Sequence, residues 1–313
     1  MAIKVSVIVT AYNRKEFLSD AIDSLVAQTA NKNEFEVLLI TNFEYDIEKY
    51  NSLNLRLFNL EGTLGEFLKK GIMEAKGEIL CFLDDDDYFH SSKIQTIQEL
   101  MIEDVSYVKN ETLKFTNIEN LRRKISSAVL AEKPPKFLDW TERIKCHPSM
   151  EFNMSSISCR KSILLKYAGV LGTLVAGPDT FAWFVLIDSG YTACYTPKEL
   201  TYYRVHESTS NRGNREKKSM LKWYLDMIKF YEFCNSTFQS KLIKDFTVKR
   251  ASLIRAKRFV YSSGEFPLMK GDLKHVFSTG IFPSPCTKGS TSLLIGCLKV
   301  KILNRNIRLN KEI

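Results

Sequence analysis

Residues 77–94 read GEILCFLDDDDYFHSSKI, and the fold turns on how this stretch is parsed. ILCFL is a short apolar run of the kind shown by a strand buried on both faces. HSSKIQTIQEL, which follows at 90–100, reads as the start of a helix. Between them stand Asp84, Asp85, Asp86 and Asp87, and adjacent carboxylates repel one another unless solvent or a positive group sits among them. A buried strand that ends in a charged turn and leads into a helix is the pattern of an open α/β sheet. Such sheets bind their ligands outside the carboxyl ends of the strands.

The stretches around it agree. KVSVIVTAYN (4–13) is a β-branched apolar run ending in small and polar residues, and FEVLLIT (35–41) and LNLRLFNL (53–60) read as further strands. KEFLSDAIDSLVAQT (15–29) carries a helical stripe of Phe17, Leu18, Ala21, Ile22, Leu25 and Val26, and LGEFLKKGIMEA (64–75) reads as a second helix. Strand and helix patterns alternate, which predicts an α/β fold with a mainly parallel sheet flanked by helices.

At 313 residues, 44% hydrophobic and 26% charged, the chain is large enough for a full core and too apolar for a disordered protein. No apolar run approaches the ~18 residues of a spanning helix, and MAIKVSVIVTAYN lacks the basic region and cleavage site of a secretory signal. A cytoplasmic protein is expected. The 7 cysteines (Cys81, Cys146, Cys159, Cys194, Cys234, Cys286, Cys297) are odd in number, scattered and never spaced as CxxC, so they read as small core residues rather than as zinc ligands or disulfides. Charge is divided along the chain. Residues 201–313 hold 22 Lys and Arg against 8 Asp and Glu, and the first 200 hold 23 against 28. The basic tail favours anionic lipid, nucleic acid or an acidic substrate, whereas the acidic front argues against a nucleic-acid surface.

Two explanations suit the four aspartates: a solvated acidic loop, or oxygen ligands for a hard cation, Mn²⁺ or Mg²⁺, whose other ligands are commonly phosphate oxygens. There is no GxGxxG after the first strand and no GxxxxGK[ST] in the chain, so neither a dinucleotide fold motif nor a P-loop holds phosphate. Metal and side chains are left to do so.

VSVIVTAYNRKEFLSDAIDSLVAQT (5–29), KGEILCFLDDDDYF (76–89), GPDTFAWFVLIDSGY (177–191) and YYRVHESTS (202–210) stand in an order and spacing that resembles the family 2 glycosyltransferases of GT-A fold. The resemblance covers roughly residues 3–210. It implies a Rossmann-like mixed sheet, a nucleoside-diphosphate-sugar donor, a divalent ion and inversion at the transferred sugar, with a glycan or lipid-linked acceptor.

Carried over by position, Thr10, Ala11, Tyr12 and Asn13 would line the nucleotide, with Tyr12 near the base; as plain residues they simply end a strand. The family usually places two aspartates after the second strand. Here Thr41 and Asn42 stand there, and an Asn side chain can still bond a base edge, which leaves the nucleobase open. Where the family reads ARNxGI, this chain has Phe67, Leu68, Lys69, Lys70, Gly71 and Ile72. Lys69 is then a candidate polar contact to the donor, or with Lys70 the solvated face of a helix. The DxD element maps to Asp84, Asp85 and Asp86, with Asp86 and then Asp84 as metal ligands and Asp84 and Asp85 also beside the donor.

Asp179 matches the carboxylate that takes the proton from the acceptor hydroxyl; Pro178 replaces the usual Glu, and Pro followed by Asp is also a good helix start. Arg204 and His206 match side chains that close over the diphosphate. Residues 104–160 are expected to shape the acceptor site, with His147, Glu151 and Asn153 in its wall. The expected division is a catalytic domain at 1–210, with a nucleotide-sugar part at about 1–103 and an acceptor part at about 104–210, followed by a basic helical extension at 211–313. That extension should hold two helices between about 214 and 263, and its last residues, 290–313, set apolar positions among Lys and Arg in the manner of a peripheral membrane segment. A metal-dependent nucleotidyltransferase and a non-catalytic membrane or nucleic-acid adaptor are the competing readings. No nucleic-acid partner is expected.

Overall fold

The computed structural model describes residues 2–127, 134–138, 153–206, 217–281 and 297. The chain divides into two compact units, residues 1–207 and 208–313. The expected acceptor-wall residues His147 and Glu151, and the 290–313 segment apart from Cys297, lie outside the described residues.

The first unit is built on a nine-stranded sheet in the order β3-β2-β1-β4-β8-β6-β9-β5, with β7 paired to β9. Its strands are β1 (Val5–Ala11), β2 (Phe35–Thr41), β3 (Leu55–Asn59), β4 (Ile79–Asp84), β5 (Tyr88–Phe89), β6 (Val105–Phe115), β7 (Lys136–Leu138), β8 (Ile157–Arg160) and β9 (Thr192–Arg204). Between them come α1 (Leu18–Val26), α2 (Leu64–Glu74), α3 (Lys93–Leu100), α4 (Ile118–Ser127), α5 (Lys161–Leu165), α6 (Ala168–Leu171) and α7 (Pro178–Asp188). β3, β2, β1 and β4 run parallel, and β8 is antiparallel to both β4 and β6. The sheet is therefore mixed and mainly parallel at the end that carries the acidic turn.

The apolar runs explain the layers. Every residue of β1 and β2 is buried, as two-sided cover requires. Val5, Val7, Val9 and Ala11 of β1 pack on one face with Leu18, Ala21, Ile22 and Leu25 of α1 and Ile94 and Ile97 of α3. The one carboxylate within β2, Glu36, is fully enclosed. It is satisfied by Ser6 Oγ at 2.7 Å, the Lys76 backbone N–H at 2.6 Å and Arg56 at 3.0 Å, which is what keeps a buried charge tolerable.

α2 opens with a capping box in which Thr63 and Glu66 satisfy each other's backbone N–H groups. α7 starts after Gly177 at φ 66° with Pro178 in its first turn, and Thr180 to Ile187 are all buried. It is enclosed on every side rather than along one stripe, as an all-apolar helix must be.

β5 is an element to which the sequence reading gave no structure. Its two residues pair with β9, Tyr88 opposite Tyr202 and Phe89 opposite Thr201. That pairing draws the end of β9, with Arg204 and His206, beside the acidic turn.

The second unit contains α8 (Lys217–Thr237), α9 (Lys241–Tyr261) and α10 (Asp272–Ile281). Leu253, Ala256, Phe259, Val276 and Cys297 form its core. Arg255 ties the helices with a bidentate contact to Asp272 and a 2.9 Å bond to Glu232. No helix among the described residues is long and apolar enough to cross a membrane.

Candidate active site at the carboxyl edge of the sheet

Thr10 near the end of β1 lies in register with Asp84 at the end of β4, so the loop after β1 and the acidic turn share one edge. The turn closes through the Asp87 N–H donating to the Asp84 carbonyl at 3.2 Å. The Asp84 N–H donates to Ser155 Oγ at 3.0 Å, and Ser155 is in a short helical turn whose cap is Asn153 at φ 61°, its side-chain oxygen accepting from the Ser155 N–H at 2.7 Å. Asn153, expected at the acceptor wall, is thus placed in support of the acidic turn.

Each aspartate has a different environment. Asp85 is held bidentately by Arg14, with Nε to Oδ2 at 2.9 Å and a second, shorter contact to Oδ1. Asp86 Oδ2 meets Arg14 at 2.6 Å and His206 Nε2 at 2.9 Å. Asp87 is fully buried; its Oδ1 accepts from the Arg204 N–H at 3.1 Å, and its Oδ2 has no partner among the described residues. Burial and the neighbouring Asp86 charge push the Asp87 carboxyl up to about 7. Asp84 is raised well above the carboxylate range, first by burial and then by the charges of Asp87, Asp86, Asp85 and Asp179.

Asp179, set in the first turn of α7, is therefore close enough to act on Asp84. Burial raises its own carboxyl, with backbone N–H groups working the other way. Arg204 spans the site. Its Nε donates to the Asp86 carbonyl at 2.9 Å, its far nitrogen to Asp20 at 2.8 Å, and its guanidinium lies over Phe17 and Phe115. His206 packs against Phe17 with ring centroids 4.8 Å apart.

At the nucleotide end, Tyr12 is 53% exposed and meets Phe67 edge-on. A partly free aromatic face of this kind can stack a base. Asn13, at φ 55°, and Asn42 bond reciprocally: the Asn13 N–H donates to Asn42 Oδ1 at 2.9 Å, and Asn42 Nδ2 donates to Asn13 Oδ1 at 2.6 Å. Asn42 thus clamps the loops after β1 and β2 to each other. Ala11 is fully buried at the end of β1. Lys69 packs its methylene stem beside Gly172 and is not brought to the acidic turn by any contact among the described residues.

Residues without a role in the sequence reading complete the site. Lys93 is fully buried; its ammonium donates to Asn110 Oδ1 at 3.0 Å, Thr201 Oγ1 at 2.8 Å and the Ser155 carbonyl, behind the acidic turn. Lys109 donates to Ser156 Oγ. Burial lowers both ammonium groups to about 7. The signal for Lys109 is a lone Lys in VSYVKN (105–110), a strand otherwise apolar at its start. The signal for Arg14 is its place directly after TAYN.

Carboxylate oxygens at Asp84, Asp86 and the unpartnered Asp87 Oδ2 have the chemistry a hard cation requires. Among the described residues no three His, Cys, Asp or Glu side chains are grouped as a complete cage.

A profile described as "Glycosyl transferase family 2" matches residues 6–159. Poly(ribitol-phosphate) beta-N-acetylglucosaminyltransferase TarS of Staphylococcus aureus is 35% identical over 101 residues, which is 29% of this chain and 18% of that relative's length. The match therefore spans less than a fifth of that relative. Among solved structures, TarS residues 1–349 in complex with UDP-GlcNAc superposes with a TM-score of 0.62 at 16% identity, covering 97% of this chain and 92% of that one. The mannosyltransferase PcManGT of Pyrobaculum calidifontis, in complex with GDP-Man and Mn²⁺, gives a TM-score of 0.55 at 12% identity, covering 97% and 87%. At these identities the superpositions speak to the fold, which is that of the GT-A neighbours. The matched profile and the acidic turn inside it carry one conclusion: this chain carries a glycosyl transferase family 2 domain over residues 6–159.

Proposed function

We propose that the protein transfers a sugar, with inversion, from a nucleoside diphosphate to a hydroxyl of a glycan or lipid-linked acceptor. The observation that supports this reading is that Asp179, in the first turn of α7, lies near enough to Asp84 for its charge to contribute to raising that carboxyl, as a base facing the acidic turn would. Tyr12, Asn13 and Thr10 would receive the nucleotide, and Arg204 and His206 the diphosphate. Asp86 and Asp84 would hold Mn²⁺ or Mg²⁺, which supplies charge to the departing diphosphate. Asp179, raised by its enclosure, takes the proton of the attacking hydroxyl. One displacement from the face opposite the diphosphate inverts the anomeric centre.

TarS, as named, acts with N-acetylglucosamine and its solved form holds UDP-GlcNAc, so UDP-sugars head the donors to test. The nucleotidyltransferase alternative asks for a basic phosphate loop after β1. Of the two cations there, Arg14 is turned onto the acidic turn and Lys15 lies over the Phe43 ring. A panel of UDP-, GDP- and dTDP-sugars, read by thermal shift with and without Mn²⁺ and then by donor hydrolysis, tests the reading. At least one donor should raise the melting temperature in a metal-dependent way; if none does, the adaptor alternative is preferred.

The second unit supports a peripheral position at an anionic membrane face. A groove of about 550 Å³ is lined by Lys217, Lys218, Lys222 and Arg258, one acid, Glu265, and the apolar Leu221, Leu225 and Phe266. Arg258 stacks on Phe266 at 3.7 Å, and its Nε has no partner among the described residues. Four cations against one acid, beside apolar side chains, suit a lipid phosphate.

A further inference from the structure

The acidic turn already contains a cation, and it is part of the chain. Arg14 reaches across from the loop after β1 to grip Asp85 with two nitrogens and Asp86 with one, and its third nitrogen is 3.2 Å from His206 Nε2. Enclosure works against its charge, yet the bonds and charges of Asp85 and Asp86 hold its pKa above the ordinary value. The Asp86 oxygen it takes is the one that also meets His206, and it belongs to the carboxylate that a divalent ion would need. The Arg14 side chain is more exposed than its partners, 25% against 8% for Asp85 and 18% for Asp86, and it lies beside Phe17.

We infer that Arg14 is a displaceable counter-cation that makes divalent-metal binding conditional on the diphosphate. While Arg14 occupies the turn, Asp86 cannot give the same oxygen to a metal. A diphosphate offers the guanidinium fork a second bidentate anion, so nucleotide and metal enter together and Arg14 moves from carboxylate to phosphate. If Arg14 leaves the turn in about one molecule in ten, the apparent affinity for the metal falls about tenfold. By reciprocity the nucleotide gains what the metal gains. The inference rests on the metal-assisted reading above, but its test uses no sugar and no transfer.

The experiment is a Mn²⁺ titration of the whole chain, followed by calorimetry and by the electron paramagnetic resonance of free Mn²⁺, with and without UDP or GDP. In the absence of nucleotide, Arg14→Ala should bind Mn²⁺ about tenfold or more tightly than the wild type. Its nucleotide-induced gain in Mn²⁺ affinity should be smaller by the same factor, and adding Asp86→Asn should remove the new affinity. Arg14→Gln repeats the comparison should the alanine variant fail to fold. Equal Mn²⁺ affinity in the wild type and both variants without nucleotide would overturn the inference, even if the donor panel showed transfer. A gain in Mn²⁺ affinity with no active donor would uphold the inference and sink the reading of function.

Discussion

Asp179 and Asp84 are separated by 95 positions in the sequence, yet the charge of one adds to the burial and neighbouring charges that raise the other, and the proposed function gives Asp179 the part of the base. Asp179→Asn should lower transfer or donor hydrolysis by about 10²- to 10⁴-fold, the usual worth of a positioned base, while the thermal shift with donor survives. Because burial raises the Asp179 carboxyl, and only the anion can accept a proton, activity should fall as pH drops through a point above the ordinary carboxylate value of about 3.9. A rate profile whose acid limb sits at or below that value would remove Asp179 from the role. Lys93 gives a stability test. Its folded pKa of about 7 lies below its ordinary 10.5, so the unfolded chain keeps a proton that the folded chain has lost between those limits. Stability should therefore rise with pH from about 7 towards 10.5. The melting temperature of the wild type is expected to climb between pH 7 and pH 9, and Lys93→Met should flatten that climb; an unchanged slope would show that Lys93 titrates normally.

At the scale of elements, α2 and α6 are fitted through backbone contact. A Cβ added at Gly65 would be driven into the carbonyl oxygens of Leu171 and, at 2.7 Å, Leu174, whereas one at Gly169 meets nothing within 4 Å. Gly65→Ala should cost about 1–3 kcal/mol, the range for forced overpacking. Gly169→Ala, inside the short helix α6, should be neutral or stabilise by up to about 1 kcal/mol. Denaturant midpoints of the two variants check the pair, and equal effects would mean that α2 does not pack against α6 as described. Most of these elements were legible beforehand. β2 coincides with the FEVLLIT run and α2 nearly with 64–75, since burial on two faces or one leaves a period that can be read locally. β5 was not legible: two residues carry no period, and only the partner strand makes them a strand.

For the whole molecule, the division of charge along the chain predicts where an anionic surface is met. The full chain should sediment with vesicles containing anionic phospholipid at low salt and not with phosphatidylcholine alone. Replacing Lys217, Lys218 and Lys222 by Glu, or raising salt to about 1 M, where the screening length is about 3 Å, should release it. Binding unaffected by either change would refute the membrane part of the proposal.

What the sequence determined by itself was whatever depends on neighbours along the chain: the alternation of strand and helix, the acidic turn after a buried strand, and the helix start at Asp179. The acidic cluster at Asp84 to Asp87 stood out by its place after a buried strand, whereas Asp179, Arg204 and His206 were carried over from the family resemblance. Tertiary structure alone decided which charges meet. Arg14 reaches Asp85 across 71 positions and His206 across 192, and His206 reaches Asp86 across 120. It likewise set Lys93 beneath the turn and tied Asn42 to Asn13. The physical reason is that local pattern reports how a segment shares itself between core and water, whereas an ion pair depends on where two separately folded segments end.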